Sequence, residues 1–522
     1  MSNEAAFLKT VQEGYTFKGE KAVFGVGMLD GKAVPATNIA FPLKTMNRHG
    51  LIAGATGTGK TKTLQTIAEC LSDKSVPVLL MDIKGDLSGL AAAGTVNDRI
   101  QERYDLMGIA YQPTGFPVEL MSLSNEKGIR LRATVSEFGP ILLSKILNLN
   151  DTQQGIVALI FKYCDDHKLP LLDLKDFTKT IQYISNEGKS EIEKEYGKIS
   201  TTSTGTILRK VIELQQQGAN QFFGEISFDV DDLMRTDENG RGYINILRLT
   251  DMQNRPKLFS TFMLQLLDEL YSTLPEEGDL DQPKLCIFID EAHLVFQEAS
   301  AALLEKIETI IKLIRSKGVG IFFCTQNPQD IPAGVLSQLG LKVQHALRAF
   351  TAADRKVIKK AAENYPVSEF YKTDDLLTQL GTGEAFVSLL NEKGIPTPLV
   401  HTLIASPRSR MDILSEQEID RLVQKSRLVK KYEELIDSKS AYEILTAKLD
   451  AAAEQTAQEE TTRAEEKEKK TPSRRAEKST IEKVFENSAV KQIMRTAGAM
   501  ITRSLLGGLG LNRTTKSKTK RK

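Results

Sequence analysis

Gly54-Ala55-Thr56-Gly57-Thr58-Gly59-Lys60-Thr61 satisfies every fixed position of the pattern GxxxxGK[ST]. It lies between an apolar run, Leu51-Ile52-Ala53, and a stretch whose apolar positions 64, 67, 68 and 71 recur at helical spacing. Each residue type answers to phosphate chemistry. Glycines let the backbone curl until successive N–H groups point inward at phosphate oxygens. Lys60 brings a point charge to the β- and γ-phosphates, the Thr61 hydroxyl suits Mg²⁺, and the helix start adds its positive dipole end. Gly54, Ala55, Thr56, Gly57, Thr58, Gly59, Lys60, Thr61 and Lys62 are therefore the candidate cradle for a nucleoside triphosphate, with ATP and Mg²⁺ expected. A chance glycine-rich turn is the competing reading, and the strand–loop–helix setting argues against it.

Outward from this loop, Val76 to Ile83 (VPVLLMDI) reads as a buried parallel strand. Further strands are expected at Tyr243 to Leu247, Lys284 to Asp290, Val319 to Cys324, Ala346 to Phe350 and, as a late hairpin, Glu384 to Ser388, with a long helix near 256–273. Strands alternating with helices predict an α/β fold with a mostly parallel sheet. Residues 1–50 read as a small N-terminal β segment, and the α/β core as 51–135 and 226–405. Between them, 136–225 reads as a helical insertion, with a helix capped at Asp151 or Thr152 and another stopped by Gly218. Residues 406–450 form a helical extension, and 451–480 a charged linker or solvated helix with almost no large apolar side chains. Residues 481–522 are an amphipathic helix followed by a basic tail, which either binds phosphate backbones or merely solubilises.

A triphosphate site of this kind needs a carboxylate at a strand end to hold Mg²⁺. Asp82 and Asp290 both qualify, and Asp290 is preferred because Glu291 follows it directly. Asp290 then orients Mg²⁺ water, and Glu291 polarises the attacking water as general base. Asp82 is either support for that site or a cap between strand and loop. Gln326, at the tip of the next strand in Thr325-Gln326-Asn327-Pro328, is the candidate sensor of the γ-phosphate. Arg348 is the candidate arginine finger for a neighbouring subunit's nucleotide, with Arg315 its rival. His293 is either a coupling residue or a histidine satisfied at a helix start. The letters DEAH at 290–293 alone would suggest a superfamily 2 helicase, but the accompanying series of nucleic-acid motifs is missing.

Composition adds bounds. The chain has 522 residues, 41% hydrophobic and 26% charged, with a formal charge of +1, so any basic surface is local. Four scattered cysteines in apolar contexts fit buried thiols in a reducing compartment. The N-terminus lacks the pattern of a signal peptide, and no apolar run reaches the ~20 residues of a membrane helix, so a cytoplasmic location without membrane insertion is expected.

Taken together, Asn47 to Ala53 running into the glycine-rich loop, DIKGD at 82–86, IDEAH at 289–293, TQNP at 325–328 and the Arg348 segment resemble the HerA/FtsK superfamily of P-loop ATPases. Within it, LPEEGD at 274–279, SPRSRM at 406–411, SAYE at 440–443 and RSLLGG at 503–508 are similar to the bacterial HerA-like (YjgR-type) group. The resemblance implies a RecA-like core, a ring-shaped and often hexameric homo-oligomer, ATP sites between subunits, and translocation of double-stranded DNA. It places Lys60, Thr61, Asp290, Glu291, Gln326 and Arg348 in the roles given above. HerA proper carries an N-terminal β-barrel that docks a nuclease, and 50 residues are too few for one, so a nuclease partner is not expected. Pore loops are expected near the 136–225 insertion. A motor acting on protein and a nucleotide-gated scaffold are the alternative functions.

Overall fold

The computed structural model of the chain describes residues 2–469 apart from 298–300, 350, 434, 435 and 437. Its strands are β1 (Lys21–Leu29), β2 (Lys32–Pro42), β3 (Gly50–Ala53), β4 (Val78–Asp82), β5 (Val118–Ser122) and β6 (Ile129–Arg130), then β7 (Ile244–Arg248), β8 (Leu285–Ile289), β9 (Val319–Thr325), β10 (Leu341–Gln344), β11 (Glu384–Ser388) and β12 (Val400–Ile404). Among the described residues they form one 12-stranded sheet in the order β2-β1-β12-β11-β10-β3-β9-β8-β4-β7-β5-β6. From β10 to β6 every pair is parallel, whereas β2, β1, β12 and β11 pair antiparallel at one side.

The parallel part is α/β in kind because its strands are apolar on both faces: β3, β4, β8 and β9 are buried at every position. The helix Lys60–Asp73 covers one face with Leu64, Ile67, Ala68 and Leu71, each at most 1% exposed. Burying a Leu or Ile side chain in this way contributes about 1.5–3 kcal/mol. Inside the sheet Phe288 of β8 stacks on Phe322 of β9 with ring centres 4.6 Å apart. Close packing also fixes Gly320 of β9, where an added Cβ would lie 2.1 Å from the Met46 carbonyl oxygen. Gly320→Ala is expected to lower stability by about 1–3 kcal/mol, read as a lower urea midpoint at unchanged slope.

Three sequence expectations need correction. Residues Asn3–Gly14 form a helix, capped by the Ser2 side chain and buried through Phe7 and Val11, where short strands were expected. The following β1 and β2 are continuous with the main sheet, since β1 pairs with β12. The strand expected at Ala346 to Phe350 is instead β10, a few residues earlier. Its successor residues bond to β3 and the loop after it: His345 N–H donates to Ala53 O at 2.7 Å, and Ala346 O accepts from Ala55 N at 2.8 Å. The first closes the β10–β3 ladder at Ala53, and the second ties the glycine-rich loop to the chain beyond it.

Residues 135–216 carry the helices Val135–Ile146, Asp151–Asp166, Leu174–Ser185, Lys189–Glu195 and Thr201–Gln216. Asn150, rather than Asp151 or Thr152, caps the second of these, and Gly218 follows the last in a left-handed conformation. The chain divides into two units, residues 1–448 and the remainder, and in the latter the described residues 449–469 are helical. The sequence features at 481–522 lie outside the described residues. No described helix is long and apolar enough to cross a membrane.

Candidate functional site

The loop after β3 sits at the C-terminal ends of the parallel strands. Gly54, Gly57 and Gly59 have φ of 154°, 78° and 109°, conformations that L side chains rarely adopt. At Gly59 a Cβ would also lie 3.1 Å from the Gly383 backbone nitrogen, which itself donates to the Thr58 carbonyl at 2.9 Å. The loop is thus clamped between the segments after β10 and before β11. Lys60 is buried at its centre, with Nζ donating to the carbonyls of Gly54 (2.6 Å) and Ala55 (3.1 Å). Burial holds its pKa below the usual lysine value, with the charge of Lys84 adding and those of Glu291 and Asp290 opposing. Thr61 is half-buried at the helix start, and Thr56 and Gly57 are exposed. Thr58 is buried, its hydroxyl donating to the Ala55 carbonyl at 2.7 Å.

Lys62 faces another way. Its amine donates to the Met411 carbonyl at 2.5 Å and to Gln65 Oε1 at 3.2 Å. One face of the same helix binds the whole segment 405–411: Thr66 Oγ1 donates to Ala405 O, Gln65 Nε2 to Ser409 Oγ and Arg410 O, and buried Glu69 accepts from the Arg408 and Ser409 N–H groups. The SPRSRM motif is therefore a strap on the helix that opens at Lys60.

Asp290 and Glu291 follow β8 and are both buried. Burial pushes the Asp290 carboxyl up to about 6, with the charge of Lys84 opposing and that of Glu291 adding. Asp290 Oδ2 and Glu291 Oε2 accept no hydrogen bond from any described residue. Nδ1 of His293 stands 3.3 Å from Glu291 Oε2, and Glu291 itself has φ +45°, a left-handed strain of about 1–3 kcal/mol for a side-chain-bearing residue. Unclaimed carboxylate oxygens beside a lysine-bearing phosphate loop fit a divalent cation with its water shell, which takes only one or two protein ligands in such sites. No group of three metal-ligating side chains occurs among the described residues.

Gln326 and Arg348 are both exposed and, with Ala55, Thr56 and Asn327, line a cleft of about 340 Å³ over the glycine-rich loop. Its far wall is the helix Ala352–Ala362, through Asp354, Val357 and Ile358. Arg348 thus faces its own chain's loop. Arg315 precedes β9, at the other end of the strand from Thr325, which pairs with Ala53. There it lies near Arg48, whose pKa is lowered by burial and by the charge of Arg315.

Two participants, Lys84 and His345, escaped sequence reasoning. Lys84 makes an ion pair with Glu291 Oε1 and lies 3.8 Å from Asp290 Oδ2. His345 is buried, its Nδ1 2.8 Å from the Glu384 carbonyl and its Nε2 2.9 Å from Thr63 Oγ1. Burial drives the His345 pKa down to about 4, so the ring is neutral, donates to the carbonyl and accepts from the threonine. Asp82 caps the next loop, accepting from the N–H groups of Gly85 (2.7 Å), Asp86 (3.2 Å) and Leu87 (3.1 Å). Of its two sequence readings, the cap is the one these hydrogen bonds support.

Fold and site together define a P-loop protein of the α/β, RecA-like class. The family model described as "Helicase HerA-like C-terminal" matches residues 28–514, and the chain belongs to that family. Among curated proteins it is similar to the DNA double-strand break repair helicase HerA of Sulfolobus acidocaldarius, 22% identical over 368 residues, covering 69% of this chain and 66% of the relative. The chain thus spans about two thirds of the length of that relative. It is also similar to the probable helicase MJECL08 of Methanocaldococcus jannaschii, 33% identical over 154 residues and 28% of each chain. Among solved structures, the bacterial conjugative coupling protein TrwBdeltaN70 shares the fold, with a TM-score of 0.50 at 14% identity over 78% of this chain and 95% of that one.

Proposed function

We propose that this chain is an ATP-hydrolysing motor that assembles as a ring, expected to be hexameric, and acts on double-stranded DNA in the cytoplasm. The observation that carries the hydrolytic part is the convergence of a lysine-centred phosphate loop with an acid pair in which each carboxylate keeps one buried oxygen without a hydrogen bond. In this reading the loop glycines and Lys60 bind the triphosphate, and Thr61 and Asp290 would hold Mg²⁺, which would supply Lewis-acid charge to the phosphates. Glu291 accepts the proton of the attacking water, and Gln326 reads the γ-phosphate from the cleft wall. Arg348, on the cleft of its own chain, suits a contact with its own nucleotide. Arg315, at the opposite end of β9, suits the finger offered to a neighbour. Residues 136–225 are a helical insertion into this core.

Family membership supports DNA as the substrate, because two of the curated relatives are described as DNA double-strand break repair helicases. A surface feature agrees. Arg355, Lys356, Lys359 and Lys360 are all exposed on the helix Ala352–Ala362, and none has an ion-pair partner among the described residues. The other side of that helix, through Val357 and Ile358, borders the nucleotide cleft. Replacing these four cations by glutamine is expected to weaken duplex binding. It should also flatten the salt dependence by about 0.9 in log–log slope for each DNA phosphate that is no longer neutralised. Fluorescence anisotropy over a salt series measures both, and an unchanged slope would remove this helix from the DNA surface. The function itself is tested by ATPase rate and by mass in solution, with ATP and duplex present together. A chain that stays monomeric under those conditions contradicts the ring.

A further inference from the structure

The acid pair after β8 is not held by its own backbone alone. β4 and β8 are neighbouring parallel strands, with Met81 opposite Ile289, so the loop after β4 and the acid pair emerge side by side. The loop after β4 is fixed by three N–H bonds to Asp82 and by the left-handed Gly85, at φ +75°. From this base Lys84 reaches across the strand ends, pairs with Glu291 Oε1 and approaches Asp290 Oδ2 to 3.8 Å. Glu291 Oε2 is left buried without a hydrogen bond among the described residues, with His293 Nδ1 standing 3.3 Å from it.

We propose that Lys84 is the positioning residue for Glu291: by holding Oε1 it turns Oε2 toward the nucleotide as the oxygen that accepts the water's proton. This rests on the hydrolytic reading above. In the step it serves, the water oxygen bonds to the γ-phosphorus while the bond from that phosphorus to the β–γ bridging oxygen breaks. The electron pair of the broken bond stays on ADP, the water proton passes to Glu291 Oε2, and phosphate is released. Lys84 itself neither gains nor loses a proton. It also balances two buried negative charges that would be costly beside each other without a cation.

The test uses the full chain with Lys84→Met and Lys84→Arg. Lys84→Met is expected to lower kcat by about 10²-fold, the low end of a general base's contribution, while KM for ATP and affinity for a fluorescent ATP analogue stay within about 3-fold. Lys84→Arg keeps a cation at that position and should restore most of kcat. Because Lys84 acts through Glu291, adding Lys84→Met to Glu291→Gln should cost little beyond Glu291→Gln alone. A kcat within about 3-fold of wild type for Lys84→Met, a parallel loss of analogue affinity, or additive losses in the double variant would each overturn the assignment. If Lys84→Met fails to fold, Lys84→Gln carries the same comparison. Wild-type protein without ATPase activity would instead reject the hydrolytic reading on which the assignment stands.

Discussion

Lys60→Ala is expected to abolish nucleotide binding, weakening affinity for an ATP analogue by at least about 10²-fold. The magnitude follows from position. Lys60 Nζ is buried at the centre of the loop, where its present partners are the carbonyls of Gly54 and Ala55. A triphosphate in that cradle would exchange neutral carbonyl acceptors for anionic oxygens, and charge-assisted hydrogen bonds of this kind contribute about 1.5–3 kcal/mol each. The remaining loop N–H groups and the helix dipole cannot replace a full charge. Stability should change little, since the lysine's hydrogen bonds end on its own loop. Analogue titration by fluorescence checks the prediction, and a dissociation constant within about 3-fold of wild type would refute the cradle.

Glu291→Gln should do the opposite, leaving nucleotide bound and stopping turnover by about 10²–10⁴-fold. The substitution keeps shape and removes the basic oxygen. It also keeps the left-handed backbone at φ +45°, so the strain stored there is unchanged. Glutamine can no longer pair with the Lys84 amine as a carboxylate, but Asp290 remains 3.8 Å from it. Steady-state ATPase assays beside analogue binding separate the two effects. Normal turnover in this variant would remove Glu291 from the role of base and would transfer it to Asp290 or to solvent.

Much of the nucleotide site was legible because its chemistry is local. Gly54 to Thr61 needs its glycines for φ values that only glycine takes easily, and that requirement shows in the letters themselves. The strands before Asp82 and Asp290 were visible as short apolar runs for a similar reason, since a parallel strand buried on both faces has no polar side to hide it. The helix Asn3–Gly14 was missed because glycines later in the segment pointed to strands, although Ser2 as its cap and Phe7 and Val11 four residues apart carry its signal. Lys84 and His345 left no such trace. Each acts through a partner brought near by sheet order, with β4 beside β8 and β10 beside β3, and a lone lysine or histidine in a loop carries no local sign of that pairing. The strap at 406–411 is visible as a motif, but its hydrogen bonds with Lys62, Gln65, Thr66 and Glu69 depend on where β12 ends relative to the helix it crosses. The antiparallel edge was obscured for the same reason: β1 and β12 come from opposite ends of the core.

Steady-state ATP hydrolysis by the full chain, measured with and without linear duplex DNA at low and physiological salt, tests the central claim most directly. Duplex is expected to stimulate hydrolysis, more strongly at low salt, and Glu291→Gln to eliminate it under every condition. Hydrolysis that is indifferent to duplex at both salts would contradict a DNA motor and leave a protein-directed motor or a nucleotide-gated scaffold in its place.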